Sequence, residues 1–240
     1  MKRILLLLLI SVTAFGQVIN KSNSIARGLL AYYPMKEQGG NIAMDMMGSN
    51  ICNSYGTTYF VNNSIKFNAS TDSLMCINNA DIFKFVDGSV WTANVWIYPT
   101  SNAGSFAILS NKAGYNWYLP QSGGTLYVDF AKPNVANSGQ STSTTPLVIN
   151  QWQMVSIVVT YSGSSGSIQF FINGIKKSTK TSWFQNPVAG NYTGQLIWGS
   201  SPNDGGYHYL GYMRNGAIWN RALTPTEIKD LYINPNKILR

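Results

Sequence analysis

The feature that most constrains this sequence is the repetition of one short pattern. From residue 28 onward, runs rich in Val, Ile, Thr, Tyr, Phe and Trp alternate with clusters of Gly, Asn, Ser, Asp and Pro. The runs 28–34, 55–61, 64–69, 73–78, 90–98, 105–111, 115–120, 124–131, 152–161, 167–173, 193–199 and 207–219 have the composition and length of β-strands. Asn173-Gly174, between Ile168-Gln169-Phe170-Phe171-Ile172 and Ile175-Lys176-Lys177, is a hairpin signal, because both turn residues tolerate positive φ. Many strands with no helix between them indicate two antiparallel sheets packed face to face. The polar segment 132–146 reads as a long surface loop inside one domain, because neither flank alone holds enough strands to close a sandwich.

One helix is expected, at the C-terminal end. Thr224-Pro225-Thr226-Glu227 offers an N-cap, a proline at the first helical position and a glutamate three residues after the cap. Ile228, Leu231 and Tyr232 supply an apolar stripe, and Pro235 stops it. With 45% hydrophobic and only 11% charged residues, the chain can build a sizeable core and is unlike a disordered segment.

Lys2 and Arg3 precede the apolar run Ile4 to Ile10, followed by the small-x-small triplet Ala14-Phe15-Gly16. This is the layout of a secretory signal peptide over residues 1–16, with cleavage before Gln17. The run is too short to span a bilayer core of ~30 Å, so no membrane span is expected in the mature chain. The expected location is therefore outside the cell: secreted, or on a cell or virion surface. Residues 17–27 then form a polar lead-in and 236–240 a tail.

The formal charge of +8 is scattered, and only Lys176, Lys177 and Lys180 cluster. Nucleic-acid binders concentrate their charge, so these three are read as a solvated turn and no nucleic-acid partner is expected. Two cysteines, Cys52 and Cys76, could form one disulfide in an oxidising compartment or stay as two buried thiols. The bridge requires adjacent strands with Cα atoms within ~7 Å.

Several segments together resemble the laminin-G-like, concanavalin-type jelly rolls of secreted bacterial and phage proteins. Gly28-Leu-Leu-Ala-Tyr-Tyr-Pro-Met35 is similar to their opening strand, and residues 64–77 to the hairpin that follows. Trp91-Thr-Ala-Asn-Val-Trp-Ile-Tyr-Pro99 is similar to a central strand with its buried Trp. Residues 152–161 and 168–174 resemble the paired strands of the back sheet, and 211–232 the closing strand and helix. The resemblance implies an all-β, two-sheet antiparallel jelly-roll β-sandwich over 28–235 with one short C-terminal helix.

Members of that superfamily bind glycans, bind proteins, decorate virions or accompany enzymes, so the fold alone does not choose. The expected function is non-enzymatic recognition of a glycan or surface polysaccharide. The rivals are a structural module acting through virion or cell-envelope proteins, and a polysaccharide-cleaving enzyme. Catalysis is disfavoured because the glutamates, Glu37 and Glu227, fall in a turn and in the helix, not paired on one strand as a retaining glycosidase needs. Candidate ligand contacts are Trp183 and Asn186, Tyr192, and Asn203 and Asp204 with Tyr207 and His208. Trp91, Trp96, Trp152 and Trp219 are read as core.

No cofactor is implied. Relatives often hold a structural Ca²⁺, but its opening-strand position appears here as Lys36 and its closing-strand acidic pair as Arg214-Asn215, leaving only Asp45. The resemblance therefore implies no metal there. In its place it implies an internal ion pair between Asp45 and Arg214, joined by Lys36.

Overall fold

The computed structural model describes residues 17–48, 50–76, 83, 90–101, 106–111, 115–119, 124–130, 140–162, 165–181, 195–201 and 208–240. The signal-peptide stretch 1–16 lies outside the described residues. Among the described residues, no helix is long and apolar enough to cross a membrane.

Two antiparallel sheets form a sandwich. The first runs, in spatial order, β14 (Ile175–Thr181), β13 (Ser165–Ile172), β12 (Gln153–Ser162), β7 (Val90–Pro99), β16 (Gly211–Trp219), β5 (Ser64–Phe67) and β4 (Tyr59–Val61), and β1 (Leu29–Tyr33) also pairs with β16. The second runs β11 (Gln140–Pro146), β10 (Thr125–Phe130), β9 (Tyr115–Leu119), β8 (Phe106–Asn111), β15 (Leu196–Trp198), β6 (Ser73–Cys76), β3 (Cys52–Tyr55) and β2 (Ile42–Ala43). The strand alternation of the sequence is the cause: Ala93, Val95 and Ile97 on β7 and Val155, Ile157 and Val159 on β12 all face inward. There they meet Leu74, Leu126, Leu196 and Trp198 of the second sheet.

The other face of the first sheet is partly sealed by a second apolar cluster. The helix α1 (Pro225–Ile233) lays Ile228 and Leu231 against Met154, Phe171, Ala217 and Trp219. Its start is the expected capping box: Thr224 Oγ1 accepts from the Glu227 amide at 3.2 Å, and Glu227 Oε2 accepts from the Thr224 amide at 2.8 Å. Arg221 then forks onto both Glu227 oxygens at 2.7 and 3.0 Å.

The two chain ends complete this cluster. Ile19 bridges Leu239, the Asn20 amide donates to the Ile238 carbonyl at 2.8 Å, and Ile19, Ile25 and Ile238 are buried. The lead-in 17–27 and the tail 236–240 are therefore packed parts of the sandwich's outer layer.

Strand β16 carries a bulge that decides which side chains face out. Its register with β7 shifts between Arg214 and Ala217, and Asn215 takes a φ of 52°. Met213 before the bulge and Ile218 after it both face the inner core, although an odd separation would put them on opposite faces of a regular strand. Asn215 is held there by the Tyr32 hydroxyl, 3.1 Å from its side-chain oxygen, and by its own amide on the Pro34 carbonyl.

Two sequence readings need correction. The segment read as a loop over 132–146 includes strand β11, which pairs with β10; residues 132–139 lie outside the described residues. Its Gln-Ser-Thr-Ser-Thr-Thr run has no apolar alternation because β11 is an edge strand, where backbone pairing suffices and polar side chains discourage further pairing. Likewise Lys176, Lys177 and Lys180 sit on β14, an edge strand of the first sheet, and not in a turn. Cys52 and Cys76 are directly opposite each other on β3 and β6, with Cα atoms 3.9 Å apart and their sulfurs joined.

Candidate functional site

The half of the first sheet's outer face that α1 leaves open carries a continuous row of rings and cations. The register sets it: Tyr59 on β4 faces Lys66 on β5, Lys66 faces Tyr212 on β16, and Tyr212 faces Tyr98 on β7. Trp152, one residue before β12, extends the row beyond Tyr98. Four inter-strand steps make the row roughly 19 Å long.

Each neighbour touches the next. The Lys66 ammonium lies 5.7 Å from the Tyr59 ring centre and 5.5 Å from that of Tyr212. Tyr212 meets Tyr98 edge-on at 5.6 Å, and Tyr98 meets Trp152 at 5.7 Å. These are ring–ring and cation–ring distances at which such groups attract. The Tyr59 hydroxyl, with a smaller part from Tyr212 and against the effect of burial, raises the Lys66 pKa and so favours its charged form.

A second, shorter row lies two residues further along the strands. Arg214 on β16 faces Trp96 on β7. Its guanidinium carbon is 4.2 Å from the Trp152 ring centre and 5.5 Å from that of Trp96, and Trp96 in turn stacks on Tyr232 of α1 at 5.6 Å. Tyr98, Trp96, Trp152, Arg214 and Tyr212 are all half-buried, and Tyr59 is 45% exposed. The face is open: the nearby cleft under α1, lined by Tyr32, Asn94, Trp96 and Asn215, holds about one water and no sugar.

Arg214 is the unusual member. Its Nε is shielded from solvent and has no hydrogen-bond partner, and among the described residues its guanidinium joins no ion pair. Burial pulls its pKa down. Lys36 lies close enough that burial first, and then Arg214, lower its pKa too, while its Nζ donates only to the Asn236 side chain at 3.4 Å.

The expected ion pair of Asp45 with Arg214 and Lys36 is therefore not formed. Strand β1 and the turn after β2 aim N–H groups at Asp45 instead: Oδ1 accepts from the Tyr32 amide at 3.0 Å and the Met47 amide at 2.9 Å, and Oδ2 from the Asn50 side chain at 3.4 Å. With that carboxylate satisfied by neutral donors, Arg214 takes the tryptophan faces. Asp72 behaves alike. Fully buried, it collects the amides of Thr57, Asn68 and Ala69 and ties together the turns around β5.

Trp91 and Trp219 are buried as expected, whereas Trp152 is half-buried in the open row and Trp96 is half-buried on the same outer face, packed against the second apolar cluster and Tyr232. The signal was in the sequence. Trp91 and Trp96 are five apart on one strand, so they point to opposite faces, and Tyr98 shares the face of Trp96. Of the residues expected to contact ligand, Trp183, Asn186, Tyr192, Asn203, Asp204 and Tyr207 lie outside the described residues. His208 bridges Ser200, and its ring nitrogen sits 3.4 Å from the Asp72 carbonyl oxygen.

Both glutamates make structural contacts. Glu227 is spent on its helix cap and Arg221, and Glu37 accepts the Met44 amide at 2.9 Å. Among the described residues no three His, Cys, Asp or Glu side chains gather as a metal site would require.

Comparison with solved structures gives the same architecture. The binding domain of botulinum neurotoxin serotype D/C superposes with a TM-score of 0.66 at 15% identity, covering 88% of this chain and 53% of its own. The binding domain of Paraclostridial Mosquitocidal Protein 1 superposes at 0.65 with 17% identity, covering 87% of this chain and 52% of its own. The serotype DC binding domain has been seen in complex with rat synaptotagmin II, and it superposes at 0.65 with 14% identity over 88% of this chain and 52% of its own. The chain thus spans about half the length of these structures, and the likeness is one of fold. No protein of curated function matches the sequence. Residues 53–229 match the laminin-G family model described as Concanavalin A-like lectin/glucanases superfamily, and that is the family to which this chain belongs.

Proposed function

We propose that the protein is a non-enzymatic recognition domain that binds carbohydrate across the open outer face of its first sheet. The observation that carries this reading is the row Tyr59, Lys66, Tyr212, Tyr98 and Trp152, in which half-exposed rings stand side by side on a rigid sheet. Such rings offer flat apolar surface to the C–H face of a sugar, while phenol and cation edges take its hydroxyls. A row of roughly 19 Å suits a linear chain of sugars better than a single one. Holding the platform on strands also keeps its rings positioned before ligand arrives, which lowers the ordering cost of binding.

The relatives are in keeping with this. Entry of botulinum neurotoxin type C depends on two ganglioside molecules, and the serotype DC binding domain has been seen with SialylT. An exported location, outside the cell or on a surface, fits the same proposal.

The test is calorimetric titration of a panel of linear oligosaccharides into the wild type, Tyr98→Ala and Trp152→Ala. Loss of either ring should weaken binding by about 1–3 kcal/mol with the fold retained. Unchanged affinity in both folded variants would remove the row from consideration.

A further inference from the structure

We infer that this face selects acidic glycans, and that Arg214 is the residue that takes their carboxylate or sulfate group. The inference rests on the carbohydrate reading above and narrows its ligand class.

Three observations converge on it. Arg214 lies against Trp152 at 4.2 Å with Trp96 beyond, a stacking that fixes the guanidinium and leaves N–H groups at its rim for hydrogen bonds. Among the described residues no hydrogen bond or ion pair engages those donors, and Nε is cut off from solvent without a partner. Leaving a half-buried cation unpaired costs free energy, and the fold adds to that cost by setting Lys36 beside it. The arrangement is uneconomical for stability alone. An incoming oxyanion lowers that cost, since it can accept two directed bonds from the terminal Nη1 and Nη2 groups and offsets the charge of both residues.

Among the described residues no carboxylate takes that place. Asp45, the carboxylate that could have neutralised Arg214, is already committed to the Tyr32 and Met47 amides. Lys66 continues the positive character along the row: it faces Tyr212, two residues before Arg214, so the two cations are diagonal cross-strand neighbours roughly 7–8 Å apart at the backbone. Tyr212 and Tyr98 are cross-strand partners in the same stretch of sheet. A sugar chain lying along the rings thus meets positive charge at more than one point, as a repeating acidic polysaccharide would exploit.

The experiment compares three probes of similar length: an oligogalacturonate, a sulfated galactan oligosaccharide and a neutral galactan oligosaccharide. Each is titrated into wild type, Arg214→Gln, Arg214→Lys and the control Lys176→Gln/Lys177→Gln, with melting temperatures measured alongside. The acidic probes should bind at least about tenfold more tightly than the neutral one. Arg214→Gln should weaken the acidic probes by roughly 10- to 100-fold and the neutral probe by a much smaller factor. Arg214→Lys, which keeps the charge but not the fork, should fall between the two. The melting temperature of Arg214→Gln should not drop.

Equal binding of neutral and acidic probes would overturn the selectivity and leave the carbohydrate platform standing. Equal weakening by Lys176→Gln/Lys177→Gln and by Arg214→Gln would overturn it too, since diffuse charge would then explain the preference. Absence of binding by every probe would sink both readings.

Discussion

The outer face of the first sheet is used in two ways, and its halves are built from similar residues. Toward the end of β16, Ala217 and Trp219 point outward and are covered by α1 and the joined chain ends. Toward its beginning, Tyr212 and Arg214 point outward on the same strand and are left half-exposed. Trp219 is fully buried, and its indole N–H donates to the Ile25 carbonyl at 2.7 Å. Across the bulge, Arg214 lies beside two tryptophan rings with its shielded Nε unpartnered. Aromatic content does not separate a covering layer from a binding face. Whether the polar atoms among the rings find partners in the protein does.

Perturbing the covered half should give the largest effect. Trp219→Ala removes a buried ring and leaves the Ile25 carbonyl only the longer 3.5 Å bond from Arg221, and should cost about 3–5 kcal/mol in chemical denaturation. The next largest effect tests the second sheet. Replacing Cys52 and Cys76 by serine opens a loop with a sequence separation of 24 and should cost about 3 kcal/mol, again by denaturation.

Loosening the lid at its cap is a smaller intervention. Thr224→Ala should cost about 1 kcal/mol. Glu227 sharpens this through pH. Burial raises its pKa, but Arg221 and the Thr224 cap outweigh that and hold it below the ordinary carboxylate value. A depressed carboxylate pKa contributes stability that is complete above the unfolded value and is lost as pH falls through the folded one. Glu227→Gln should therefore lower the melting temperature at neutral pH and flatten its decline in acid.

The smallest effect on stability belongs to the open half. Trp152→Ala should change denaturation free energy by about 1 kcal/mol or less. A cost there as large as that of Trp219→Ala would erase the distinction between the halves.

The sandwich itself was legible because alternation and turn chemistry are local. The Asn173-Gly174 hairpin, the inward rows of β7 and β12 and the Thr224 capping box are all formed by neighbours in the chain. The outward face of Tyr98 was legible but the full row was not, because it depends on register among the β4–β5 hairpin, β7, β12 and β16, which are far apart in sequence. A bulge at Asn215 also resets which residues of β16 face out. Asp45 shows the same limit from the other side. Its charge suggested a cationic partner, but the local backbone supplied amides first, and no residue count reveals where N–H groups will point. Of the ligand contacts expected from sequence, only His208 is among the described residues, and it is occupied by the Asp72 carbonyl.

The central claim is that ligand lies on the open half of the outer face. Hydroxyl-radical footprinting with and without a saturating acidic oligosaccharide tests it most directly. Protection should appear at Tyr98, Trp152 and Tyr212, and the buried Trp219 should not change. Protection confined to the segments around Trp183, Tyr192 and Tyr207, with Tyr98, Trp152 and Tyr212 as reactive as before, would contradict it.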